Sequence, residues 1–128
     1  MLTRATRTRR WTATRVENWA TPGCPDVDLC DELGRFHKVE LKTVSGTKVD
    51  LRPQQVSFLS RHAHASVWIL AQRGLTDGED EIYLYHGRQA VDVAMDGIKT
   101  PPVLKITADE DWSALFDIIS PPEKEQDE

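Results

Sequence analysis

Residues 39–43 read Val39-Glu40-Leu41-Lys42-Thr43. On a strand, successive side chains point to opposite faces. Val39 and Leu41 then enter a core, and Glu40 and Lys42 project together from the other face. Fourteen residues before Glu40 stands Asp26, within Gly23-Cys24-Pro25-Asp26-Val27-Asp28-Leu29. A hairpin between the two segments brings Asp26 beside Glu40. Two carboxylates and an ammonium on paired strands are a minimal set for ligating a divalent metal and steering a water, the chemistry of phosphodiester hydrolysis. Taken alone, Glu-x-Lys also describes a solvated strand face whose ion pair is worth about 0–1 kcal/mol. The flanking segments decide between the two.

Residues 25–30 read as a short strand and 35–43 as its antiparallel partner, joined by a turn at Asp31-Glu32-Leu33-Gly34. Asp28 falls on the same face as Asp26 but farther from Glu40. Before this hairpin, 8–19 reads as a helix stopped by Pro22-Gly23. Glu17 lies in its last turns, close to the Asp26 strand. Residues 1–7 read as a loose basic arm. After the hairpin, 44–51 reads as a polar, flexible connection. Arg52-Pro53 then opens a helix over 53–64, proline being well placed in a first turn. Gln54 and Gln55 sit where exposed amides and the helix dipole favour a phosphate or metal-bound waters. Residues 66–72 are nearly all apolar, a strand covered on both faces. Strand, helix, strand over this span predicts a right-handed crossover within one sheet. An exposed acidic loop over 73–80 precedes a strand at 81–86, a short helix over 87–96 and an edge strand at 103–106. A last amphipathic helix over 109–119 carries Trp112, Leu115, Phe116 and Ile119.

At 128 residues, with 39% hydrophobic and 29% charged residues, the chain fits one soluble domain. No apolar run reaches the length of a membrane span. Cys24 and Cys30 lack CxxC spacing, and with four scattered histidines they outline no zinc site. They read as reduced cysteines of a cytosolic protein. His37 and His86 read as structural, and no Ser/His/Asp arrangement stands out. The net charge of −5 excludes a general nucleic-acid coat. Its distribution is uneven: Arg4, Arg7, Arg9, Arg10 and Arg15 crowd the start, and acids gather over 77–81 and 123–128. A basic arm on an acidic protein suits local phosphate contact, and equally a solvated terminus.

Glu17, the Gly23-Cys24-Pro25-Asp26 segment, Glu40 and Lys42 within Val39–Thr43, and Leu51-Arg52-Pro53-Gln54-Gln55 follow one another in this order. Together they resemble the PD-(D/E)XK nuclease superfamily, and within it the small, often phage-borne nucleases of the VRR-NUC and Holliday-junction-resolvase-like group. The resemblance covers about residues 16–70. It implies an α/β, restriction-endonuclease-like core of α-β-β-β-α-β type, with a mixed central sheet flanked by helices. It makes residues 1–120 a single nuclease domain and 121–128 an acidic disordered tail. Asp26 and Glu40 would be metal ligands with the Leu41 backbone oxygen, and Glu17 would complete the acidic cluster. Lys42 would position the attacking water, and Gln55 would orient a ligand, water or phosphate. Arg9, Arg10, Arg15, Lys48 and Arg52 would contact DNA. The implied activity is a Mg2+-dependent DNA endonuclease, with Mn2+ able to substitute, acting on branched, nicked or double-stranded DNA. It would work as a homodimer in a bacterial cytoplasm or phage-infected cell, with no membrane partner. A catalytically inactive DNA-binding module of the same fold is the alternative reading.

Overall fold

The computed structural model describes residues 2–7, 9–17, 21–75 and 78–121. In chain order its elements are α1 (Leu2–Arg7), β1 (Thr12–Arg15), β2 (Val27–Cys30), β3 (Phe36–Ser45), β4 (Lys48–Val49), α2 (Pro53–Arg61), β5 (Val67–Arg73), β6 (Glu81–His86), α3 (Ala90–Asp96), β7 (Leu104–Thr107) and α4 (Ser113–Ile119). Among the described residues the sheet is seven-stranded, ordered β1-β2-β3-β5-β6-β7, with β4 folded back on the end of β3. β3 and β5 run parallel and the other neighbours antiparallel, so the chain is an α/β protein with a mixed central sheet.

Helices cover both faces of this sheet, which is why β5 needs no polar alternation. On one face Val27, Leu29, Val39, Leu70 and Leu84 pack under Leu115, Phe116 and Ile119 of α4 and under Trp11. On the other, Val44, Ile69, Ala71, Tyr83 and Tyr85 pack under Leu59 of α2 and Val93 of α3. Each such aliphatic or aromatic side chain contributes about 1.5–3 kcal/mol by leaving water. Glu40, on the α2 face of β3, is therefore buried, with 4% of its surface exposed, unlike the solvated strand face that a lone Glu-x-Lys would also describe.

The start of the chain departs from expectation. Leu2–Arg7, expected to be loose, is helical, because Leu2 and Ala5 find the apolar face around Trp11 and Thr6 is buried. The helix expected over 8–19 is instead β1. β-branched Thr12 and Thr14 favour a strand. Register pairing of Thr12 with Cys30 through Arg15 with Val27 gives the backbone partners that an isolated helix would have to supply itself. Asn18 and Trp19, the end of that expected helix, lie outside the described residues, as do Thr76, Asp77 and the tail from Pro122 onward.

The connection after Thr43 is also ordered. β3 runs on to Ser45, and Gly46-Thr47 form a two-residue turn into β4, with Ser45 opposite Lys48. Gly46 has φ +65, the left-handed conformation this turn requires, and buried Val44 and Val49 hold the hairpin down. α2 stops at Arg61, three residues before the expected end, where His62 Nδ1 meets the Phe58 carbonyl at 2.7 Å. Among the described residues no helix is long and apolar enough to cross a membrane.

Candidate metal and phosphodiester site

β2 and β3 pair with Val27 opposite Val39. One further step along that register sets Asp26 opposite Glu40, at the point where β2 ends. In an extended strand the amide and carbonyl of one residue face the same neighbour. The Leu41 amide faces β2 and donates to Asp26 Oδ1 at 3.1 Å, so the Leu41 carbonyl faces the same side. Asp26, Glu40 and the Leu41 carbonyl are thereby brought to one end of the β2–β3 ladder.

Two further groups hold Glu40. Gln55, from the first turn of α2, donates through Nε2 to Glu40 Oε2 at 3.0 Å. Lys42 Nζ stands 3.8 Å from the same oxygen, long for a hydrogen-bonded ion pair. Glu40 Oε1 is buried and has no hydrogen-bond partner. Burial, reinforced by the negative charge of Asp26 and only partly offset by Lys42 and Arg52, raises the Glu40 pKa to about 7.

Backbone geometry fixes the distance between Asp26 and α2. Gly23 has φ +87, and a Cβ there would lie 2.1 Å from the Gln54 carbonyl oxygen. The 22–24 loop thus rests directly on the start of α2. A groove of about 220 Å3 between them is lined by Gly23, Cys24, Arg52, Gln54 and Gln55. A second cavity, of about 440 Å3, reaches toward the α4 side: Leu2, Leu41, Leu70, Ile82 and Trp112 form its apolar walls, and Asp26, Arg15, Lys42, Thr43 and Gln72 complete the lining.

The remaining expected site residues are dispersed. Arg15 lines that cavity, and Arg52 stands at the start of α2, close enough to act on Glu40 electrostatically. Lys48 is exposed on β4, beside the turn, and Arg10 is exposed with φ +60. Arg9 is engaged within the chain: it donates to Asp117 Oδ1 at 2.8 Å and to the Ser113 carbonyl at 3.1 Å, and lies over the Trp11 and Phe116 rings. The side chains of Arg4 and Arg7 lie outside the described residues. Glu17 follows β1 rather than sitting on a helix, and is exposed. Among the described residues no three His, Cys, Asp or Glu side chains form a group that could hold a metal, so Glu17 does not join Asp26 and Glu40 in such a group. Asp28 is drawn away by Lys38 at 3.0 Å.

The structure assembles one constellation not discerned in the sequence. Asp31 Oδ2 accepts from His37 Nε2 at 2.9 Å, Ser120 Oγ at 2.6 Å and Arg35 Nε at 2.9 Å. His37 Nδ1 meets Ser66 Oγ at 2.6 Å, and Ser66 Oγ also accepts from Trp68 Nε1 at 2.8 Å. With Asp31 and His37 buried and the serine already engaged by two partners, this is a polar staple joining the β2–β3 turn to β5 and to the end of α4. Cys24 and Cys30 are free thiols.

No family model, curated protein or solved structure matches this chain.

Proposed function

We propose that the protein is a metal-dependent endodeoxyribonuclease with a restriction-endonuclease-like core. The observation that carries this reading is the buried Glu40 carboxylate: one oxygen is held by Gln55, the other has no partner, and Asp26 stands beside it. A buried carboxylate beside a second carboxylate is costly unless a cation offsets the charge. Lys42 at 3.8 Å meets only one of the two Glu40 oxygens. The donor set of Asp26, Glu40 and the Leu41 carbonyl is all oxygen, which suits magnesium or manganese. The order of one helix, three antiparallel strands, one helix and a strand parallel to the third supports the α-β-β-β-α-β assignment.

When bound, a divalent cation at these oxygens would lower the pKa of a coordinated water and polarise the phosphate. The chain's own residues do the rest. Gln55 fixes the Glu40 carboxylate plane from the helix start. Lys42 offsets negative charge on the phosphoryl oxygens and holds a water by hydrogen bonding. Arg15 and Arg52, on either side of the carboxylates, supply phosphate contacts.

The test is incubation with branched and with linear DNA, with and without magnesium, beside Lys42→Ala and Asp26→Ala. The expected result is magnesium-dependent cleavage by the native chain alone. Magnesium should also raise its melting temperature and leave that of Asp26→Ala unmoved. Cleavage by all three proteins would mark a contaminant. DNA binding without cleavage at any metal concentration would make the protein an inactive DNA-binding module.

A further inference from the structure

The 440 Å3 cavity on the α4 face lies in the size range of small-molecule sites, and its lining extends beyond Asp26, Lys42 and Arg15, the groups assigned to hydrolysis. Its construction follows from register. Leu41 pairs with Leu70, Thr43 with Gln72, and Gln72 with Ile82, so their side chains form adjoining rows on one face of β3, β5 and β6. The β2 pairing ends opposite Val39, and beyond it these rows are bordered by Asp26, Arg15 and Leu2 of α1 instead of a paired strand. Leu41, Leu70, Ile82 and the Trp112 indole make an apolar interior. Thr43 and Gln72 put a hydroxyl and an amide at the rim, where Gln72 is fixed by donating to Asp80 at 2.5 Å. Asp26 and Lys42 form the wall shared with the carboxylate site.

We infer that this cavity takes one unpaired nucleobase of the strand whose phosphate lies at Asp26 and Glu40. The inference rests on the nuclease reading for the identity of its occupant. A planar heteroaromatic ring gains from apolar and aromatic walls whatever its sequence, and its polar edge then meets the Thr43 hydroxyl and the Gln72 amide. Arg15, on the same rim, reaches the neighbouring phosphate. A base inside a duplex cannot enter a recess without leaving its stack, whereas an unpaired base at a junction, flap or gap enters at little cost. The cavity would therefore be the element that selects branched over continuous DNA.

The test is a methyl-resolved NMR titration with thymidine 5′-monophosphate and, in parallel, deoxyribose 5-phosphate, without metal. The nucleotide should shift the Leu41, Leu70 and Ile82 methyls, and the base-free sugar phosphate should not. Leu59 and Ile69, on the other face, should stay still and report that the fold is intact. Thr43→Trp, at an exposed strand position, fills the mouth and should weaken the shifts at least tenfold, with Thr43→Tyr as a second variant. In the cleavage assay the same variants should lose their preference for branched over linear DNA while still cutting. Absent shifts, equal shifts with the sugar phosphate, or shifts indifferent to both variants would overturn the cavity's role. Shifts as expected from a protein that never cleaves would retain the base site and remove the nuclease reading. Cleavage without shifts would do the reverse.

Discussion

Gln55 Nε2 donates to Glu40 Oε2 at 3.0 Å, while Gln55 Oε1 accepts from the Arg52 amide at 2.9 Å. One side chain thus closes the first turn of α2 and holds a buried carboxylate of β3. Gln55→Leu removes both bonds and leaves Glu40 without a side-chain hydrogen bond, offset only in part by the charges of Lys42 and Arg52. We expect a loss of about 2 kcal/mol in urea unfolding and at least a tenfold fall in magnesium-dependent cleavage. Unchanged stability and cleavage would show that α2 does not support the carboxylate.

Glu40 should make the protein less stable at high pH when no divalent cation is added. Burial and Asp26 raise its pKa to about 7 from 4.5. Between these values the folded state binds more protons than the unfolded state, so stability falls as pH rises and levels off above the folded value. At about 1.4 kcal/mol per pKa unit, the fall attributable to Glu40 is on the order of 3 kcal/mol. Glu40→Gln should remove it: without metal, the variant should be the more stable protein at pH 8, with the two converging toward pH 5. Parallel stability curves for the two proteins would contradict a strained carboxylate.

Gly23→Ala tests the contact between the Asp26 segment and α2. Its Cβ would meet the Gln54 carbonyl oxygen at 2.1 Å, in a backbone conformation that alanine rarely adopts. Either the loop lifts off α2 or the helix start moves. Both separate Asp26 from Glu40. A loss of about 3 kcal/mol is expected, with cleavage reduced more than the unfolded fraction accounts for. Cleavage at the native level in a folded variant would mean that the separation is not critical.

Asp31 should contribute to stability in acid. Burial alone would raise its pKa, but hydrogen bonds from Ser120 and His37 and from the Arg35 and Leu33 amides outweigh burial and hold the carboxyl well below the usual carboxylate range. A depressed pKa contributes stability above the unfolded value, near 4, and that stability is lost as pH falls below it. Asp31→Asn should cost about 3 kcal/mol or more at neutral pH and shift the acid-unfolding midpoint upward. An unchanged acid transition would place the acid-sensitive group elsewhere.

The core strands and the side chains that share a face were legible in local pattern. The alternation from Phe36 to Thr43, the apolar run after Ser66 and the proline opening α2 are local signals, and each gives an element where it was read. The hairpin around Asp31-Glu32-Leu33-Gly34 follows from turn chemistry, and with it Asp26 comes to lie across from Glu40. The start of the chain was not legible: Thr12–Arg15 is a strand because β2 offers it an open edge, a partner that no local pattern records.

The environment of the site arises from packing between distant segments. The burial of Glu40 depends on α2 closing over the second face of the sheet. The Asp31–His37–Ser66 contact joins residues from three separate segments. The cavity exists because β2 stops while β3 and β5 continue, and strand register sets which residues line it. Pairing between distant segments is set by the summed burial of both sheet faces, an energy that belongs to the assembled molecule and to no single stretch of chain.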